Sequence, residues 1–226
     1  HILDVNVGLP EIDEPETIKE VVCALQAVCN LPLQIDTADP VAMEAALRRY
    51  NGKAMINSVN GKQEVLDQIL PIAKKYGAAV LGLCMDEAGI PETAQARFDI
   101  AQRILKAAQA HGIPKEDVFI DCLTLTVSAQ QEQAKETLDA LARVKNELGL
   151  KTTLGVSNIS FGLPSRELIN SIFLTMAMAR GLDLPIINPN NKAMMDAVRA
   201  AAVLLGADKG AADYLSRYAG QEQAPA

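Results

Sequence analysis

Tryptophan is absent from this chain and histidine occurs only at His1 and His111, so a His-rich metal cluster has no ligands to draw on. The four cysteines, Cys23, Cys29, Cys84 and Cys122, include no CxxC pair. This fits a reduced, cytoplasmic protein whose thiols serve as small core hydrophobes. No run of basic residues relieves the net charge of −7, which argues against a nucleic-acid partner. No apolar stretch approaches the roughly 20 residues of a membrane helix. What is present in quantity is apolar residue, 49% of 226, enough for one sizeable core and a single domain of the length α/β barrels reach.

Short β-like runs fall at Ile2–Val7, Leu31–Ile35, Ala54–Ile56, Ala79–Leu83, Val118–Ile120, Thr153–Val156 and Leu184–Ile187. Amphipathic segments separate them: Glu14–Cys29, Pro40–Tyr50, Gln63–Tyr76, Thr93–His111, Ser128–Leu148, Ser165–Arg180 and Lys192–Leu205. In KETLDALARVKNEL the apolar Leu138, Leu141, Val144 and Leu148 recur at three- and four-residue steps, the mark of a one-faced helix. Glycines 77, 112 and 149 stand just past helix ends, and Pro15, Pro40 and Pro164 near helix starts, as capping chemistry asks.

Strands alternating with helices specify a parallel sheet clothed by helices. Seven such units are visible, and the chain opens in mid-strand without a Met. The expected fold is a TIM (β/α)8 barrel over 1–206 with its first βα unit absent from this sequence, and a tail or linker, helical in part, over 207–226. An open doubly wound sheet is the competitor, but LDVNVGLPEID lacks the GxGxxG turn such a fold carries. In the barrel, Ile35, Ile56, Val80, Leu81, Ile120, Leu154 and Ile186 should be buried.

The strand ends read LDVN, LQID, MINSVN, LGLCMD, FIDCL, GVSN and PIIN. Each carries Asp or Asn, residues that also favour turns and helix N-caps. Asp39, Asp86 and Asn190 fit that capping use, and Asn188, before Pro189, fits turn or ligand equally. Asp4 and Asn6 share one face of their strand, Asp121 still lies inside its run, and Asp36 and Asn57 close theirs. In a barrel these side chains converge on the C-terminal mouth, where such folds keep their active sites. Grouping them there costs free energy unless a ligand or mutual hydrogen bonds satisfy them.

Several chemistries fall away. Lys53 and Lys151 precede their strands, so no Schiff-base lysine stands at the mouth. IINPNNK offers no Gly-rich phosphate loop, and Ser157 has no histidine partner in the pattern. A metal-assisted hydrolase on Asp4, Asp36 and Asp121 would lack His ligands. Carboxylates and amides together match the donor and acceptor edge of a pterin.

The segments LDVNVG, IDTADP, MINSVNG, FIDCL and LGVSNISFGLPSRELINSIFL resemble the pterin-binding methyltransferase domain of cobalamin-dependent methionine synthase. They are similar also to the methyltetrahydrofolate:corrinoid protein methyltransferases of acetogens. The likeness covers essentially the whole chain, with GVSN-x-S and INS its most specific parts, and FGLP is closer to the methionine synthase version. It implies a dihydropteroate-synthase-like barrel whose family counterpart begins with a GERIN-like strand not found here. It also implies transfer of the N5-methyl of methyltetrahydrofolate to Co(I) of a corrinoid. Residues matching Asp36, Asn57 and Asp121 hold the pterin in that family, with Asp4 beside them. The family residue matching Asn158 approaches N5, and the match to Arg166 lies near the same loop. The expected site is therefore Asn158 and Asp121 as catalytic residues. Asp4, Asn6, Asp36, Asn57, Asp121, Gly155, Ser157, Asn158 and Arg166 would bind substrate, and no metal is expected. No zinc-binding homocysteine domain and no DxHxxG-like cobalamin motif is present, so the corrinoid partner sits on another domain or protein. A dihydropteroate synthase would need basic residues in its late loops, and only Arg166 follows a strand end; a non-catalytic pterin-binding module is the remaining alternative. The resemblance also suggests a homodimer, for which the helix INSIFLTMAMARG carries apolar residues on more than one face (Ile169, Ile172, Phe173, Met176, Met178, Ala179), although a core role explains these better.

Overall fold

Each apolar run folds as a strand because one of its faces meets helices and the other meets the axis of a barrel. The computed structural model describes residues 1–220. Strands β1 (Leu3–Val5), β2 (Leu33–Asp36), β3 (Met55–Asn60), β4 (Ala79–Leu83), β5 (Val118–Asp121), β6 (Lys151–Gly155) and β7 (Leu184–Ile186) form one sheet in chain order. All six pairings are parallel, and the sheet curls into a nearly closed barrel with β1 and β7 as its edges. The helices are α1 (Glu14–Val28), α2 (Pro40–Leu47), α3 (Gln63–Tyr76), α4 (Ala94–Ala110), α5 (Gln133–Arg143), α6 (Arg166–Ala179), α7 (Lys192–Leu204) and α8 (Ala212–Tyr218). No helix among the described residues is long and apolar enough to cross a membrane.

The outward faces of the strands carry Val5, Ile35, Ile56, Val80, Ile120 and Leu154, which join the helices in one large cluster. The inward faces carry Met55, Ala79 and Leu81, with Leu83, Phe119, Leu184 and Ile186 partly buried beside them. Leu81 is thus buried as expected, against the axis rather than the helices. Ile186 differs from expectation: it is only half-buried, because β7 has a neighbour on one side only. Gly82 faces α4, and a Cβ there would stand 2.8 Å from Ile104 Cγ2, so the glycine lets this helix lie close against the sheet.

Local signals decide where helices begin and end. Asp13 caps α1 and Asp39 caps α2, each with Pro in the first turn, and Gly77 and Gly149 take the left-handed conformation that ends a helix. The cap of α7 is Asn191, not Asn190, and Asp86 holds a turn through the Ala88 N–H. Asn188 accepts from the Asn190 N–H, a turn role. The helix expected over Ser128–Leu148 begins only at Gln133 and closes as a π turn over Val144–Leu148. Lys151 opens β6 rather than preceding it. Of the cysteines, Cys84 and Cys122 are buried, while Cys23 is exposed and plays no core role. On α6, Phe173 is core, while Leu168, Ile172 and Met176 are 62%, 52% and 49% exposed and form a stripe at four-residue steps. The tail expected over 207–226 contains α8, and residues 221–226 lie outside those described.

Candidate active site at the barrel mouth

Alternation along the strands turns a set of polar side chains inward above the apolar floor of Met55, Leu81 and Phe119. Asp36 in β2 pairs in register with Asn57 in β3, and Asp121 in β5 pairs with Thr153 in β6. Asp4 in β1 pairs with Gln34 in β2, whose Nε2 donates to Asp4 Oδ1 at 2.6 Å. Asn6 Nδ2 donates to Asp36 Oδ2 at 3.0 Å. The structure therefore links Asp4, Asn6, Asp36 and Asn57 through neighbouring strands.

Turn roles account for part of this set. Asn6 Oδ1 accepts from the Gly8 N–H at 3.0 Å, and Asp121 Oδ1 from the Leu123 N–H at 2.7 Å. Asp121 is accordingly the last residue of β5 and a turn former as well as an inward carboxyl. Asp36 and Asn57 make no such bond, and Asn57 lies in mid-strand.

Burial sets the carboxyl chemistry. Asp4 and Asp36 are both pushed above the usual range by desolvation, each partly offset by its amide neighbour. Asp121 is buried and pushed up to about 7, against the lowering effect of the Leu123 and Gly155 N–H groups and the Arg97 charge. A carboxyl there holds or releases a proton at neutral pH.

Beyond β6 the chain enters a 3-10 turn, Val156–Ser160, which presents Asn158. Gly155 makes room for it: a Cβ on Gly155 would stand 3.1 Å from Asn158 Nδ2. Asn158 is half-buried, so its amide lies over the same glycine whose N–H binds Asp121. Arg166 braces this turn, with Nε on Ser160 Oγ at 3.0 Å, Nη2 on the Ser157 carbonyl at 2.9 Å and the guanidinium over the Phe161 ring. Ser157 is exposed and takes part through that carbonyl. No group of three or more His, Cys, Asp or Glu side chains among the described residues is placed to hold a metal ion.

The sequence matches the model of the pterin-binding enzymes over residues 1–188. The chain belongs to the pterin-binding enzyme family. It is 33% identical over 201 residues to the methionine synthase of Mycobacterium leprae, covering 83% of this chain and 17% of that one. To the methionine synthase of Mycobacterium tuberculosis it is 31% identical, covering 95% and 19%. The chain thus spans less than a fifth of these two relatives. It is 30% identical to the methylcorrinoid:tetrahydrofolate methyltransferase of Eubacterium limosum, covering 92% of this chain and 78% of that enzyme. Among solved structures, the Yersinia pestis dihydropteroate synthase bound to a pterine-sulfa conjugate superposes with a TM-score of 0.71 at 17% identity, covering 91% and 82%. That of Xanthomonas albilineans with 7,8-dihydropteroate gives 0.69 at 22%, covering 90% and 79%; these likenesses establish the TIM barrel.

Sequence reasoning missed Arg97, which underlies the Asp121 loop. It sits in an amphipathic helix pattern, where a charged residue reads as solvated.

Proposed function

We propose that this chain is a methyltransferase that moves the N5-methyl group of methyltetrahydrofolate to Co(I) of a corrinoid carried on another domain or protein. The observation that carries the reading is the inward set Asp36, Asn57 and Asp121, with the Asn158 amide over Gly155, whose N–H binds Asp121. Carboxyls accept from the N–H and amino groups of a pterin edge, and amides supply both donor and acceptor. The name of the Eubacterium limosum relative, a methylcorrinoid:tetrahydrofolate methyltransferase, supports the corrinoid and tetrahydrofolate partners.

In the reaction the N5–CH3 bond breaks, the cobalt electron pair forms the new bond to carbon, and N5 keeps its pair and gains a proton. N5 is a poor leaving group, so a hydrogen bond or proton at N5 must grow as the methyl departs. Asn158 donates that bond through Nδ2. Asp121, holding a proton near neutrality, supplies the proton through water. Positioned acid and hydrogen-bond catalysis of this kind contributes about 10²–10⁴-fold. Asn6 holds Asp36 in place while Asp4 is tied to Gln34 beside it, and Gly155, Ser157 and Arg166 set the turn that presents Asn158. The corrinoid supplies the methyl-accepting cobalt. A cytoplasmic enzyme that dimerises through the exposed stripe of α6 completes the reading.

A dihydropteroate synthase role is less well supported, since Arg166 is spent on the Ser157 carbonyl and Ser160. Methyl transfer from methyltetrahydrofolate to free cob(I)alamin, followed by absorbance, tests the proposal. Transfer well above the protein-free rate is the expected result. Pterin binding without transfer would leave only a binding module, and no pterin binding would overturn the reading.

A further inference from the structure

Arg97 is fully buried on α4, and among the described residues it forms no ion pair with a carboxylate. Its guanidinium is used on the backbone of two mouth loops. Nε donates to the Pro91 carbonyl at 2.9 Å, and Nη1 to the carbonyls of Cys122 at 3.2 Å and Leu123 at 3.0 Å. Nη1 also reaches Thr137 Oγ1 at 2.7 Å, and Nη2 donates to Gln133 Oε1. Thr137 Oγ1 donates in turn to the Leu123 carbonyl at 3.0 Å. Both side-chain partners sit on α5, so the cluster ties α4, α5 and the loops after β4 and β5 together.

Taking a guanidinium out of water is costly unless its donors are satisfied, and here two of the acceptors are the carbonyls of the two residues that follow Asp121. Leu123 stands at φ +62°, a conformation side chains avoid unless their surroundings impose it. The N–H of the same residue donates to Asp121 Oδ1 at 2.7 Å, so the strained turn and the carboxyl are joined directly. We propose that Arg97 is a positioning residue for Asp121: by gripping the Cys122 and Leu123 carbonyls it holds the turn that fixes where the carboxyl points, and its charge stands behind that carboxyl. The inference rests on the methyltransferase reading for its kinetic arm only.

The titratable groups facing Arg97 are Asp121 at the end of β5, Cys122 just after it, Cys84 just after β4 and Glu136 from α5. The Glu136 carboxylate accepts from the Ala94 N–H at the start of α4. The buried thiol of Cys122 is pushed well up by its hydrogen bond with Cys84 and by burial, so it stays neutral. The Arg97 charge favours the ionised form of Asp121, against the larger effect of burial.

Three full-chain variants separate grip from charge. Arg97→Met removes both, Arg97→Lys keeps the charge and loses the fork, and Thr137→Val loosens the grip with all charges in place. The first readout is an NMR titration of 13C-labelled aspartate carboxyls, assigned by Asp121→Asn, which needs no substrate. Arg97→Met should raise the Asp121 midpoint by about half a unit or more, and Thr137→Val should leave it close to wild type. The second readout is single-turnover methyl transfer to cob(I)alamin. Arg97→Lys and Thr137→Val should each slow transfer by about 10–10²-fold, the scale of a small misplacement, with melting temperatures that keep the protein folded under assay. If Arg97→Met does not fold, Arg97→Lys should still slow transfer without raising the midpoint. An unchanged midpoint in Arg97→Met, or wild-type transfer in both Arg97→Lys and Thr137→Val, would overturn the role. A wild-type chain without transfer would instead refute the methyltransferase reading, while the titration still judges Arg97.

Discussion

Replacing Asp121 by Asn changes one oxygen to an NH2 group and removes a titration from the barrel interior. The amide oxygen can still accept from the Leu123 N–H, 2.7 Å away in the native turn, so the turn should survive. The effect on stability follows from the native carboxyl being pushed from 3.8 up to about 7. Between these values the folded protein keeps a proton that the unfolded chain has lost, so stability from this group falls as pH rises from about 4 to about 7. The slope approaches 1.4 kcal/mol per pH unit at most, a total on the order of a few kcal/mol. The amide variant has no such loss, so the substitution should gain stability relative to wild type on going from pH 5 to pH 8. Binding should move the other way. At pH 8, above the raised midpoint of Asp121, a carboxylate accepting from ring N–H donors contributes about 1.5–3 kcal/mol, so the amide variant should there bind methyltetrahydrofolate about 10–100-fold more weakly. Urea melts at pH 5 and pH 8, with titration calorimetry on the same samples, measure both. Identical pH dependence of the two melts would refute the buried, raised carboxyl. Unchanged affinity would reduce Asp121 to a turn former.

Asn158→Ala should lower the methyl-transfer rate by about 10–10³-fold, more than it raises the dissociation constant, since its bond strengthens as charge develops on N5; single-turnover kinetics beside a melting curve check this, and wild-type transfer in a stable variant would remove Asn158 from the reaction. Gly155→Ala places a Cβ 3.1 Å from Asn158 Nδ2 and should displace the amide, slowing transfer while binding changes less; equal loss in both would indicate a collapsed pocket instead. Sedimentation should show a dimer that Ile172→Glu dissociates, the side chain being 52% exposed on α6, and a monomeric wild type would refute that use of the stripe.

The site was legible where strand alternation and chemistry agree. A polar residue closing an apolar run, as in LQID or FID, must face either helices or the axis, and the helices demand the apolar partners Ile35 and Ile120. Asp36 and Asp121 therefore point inward on pattern alone. Turn bonding was not legible, because Asp121 looks the same in a sequence whether or not its oxygen meets the Leu123 N–H. Edge effects escaped for a similar reason: Ile186 carries the same apolar signal as Ile120, and only its place in a strand with one neighbour leaves it half-buried. Arg97 gave no signal, since a buried cation is recognised only when its carbonyl partners, 25 and 26 positions away, are brought to it.

Gly82 stands at the middle of the barrel wall and touches no polar group of the mouth, yet it governs one. Ile104, which it admits to within 2.8 Å of where a Cβ would stand, lies two helical turns from Arg97 on the same side of α4. The helix works as a beam resting on that glycine, with the guanidinium at its upper end. Any side chain at position 82 would lift the beam from its seat, and hydrogen bonds of about 3 Å tolerate little travel before they fail. The alignment of the carboxyl is thus a matter of mechanical tolerance, set by the one position in β4 that has no side chain to offer.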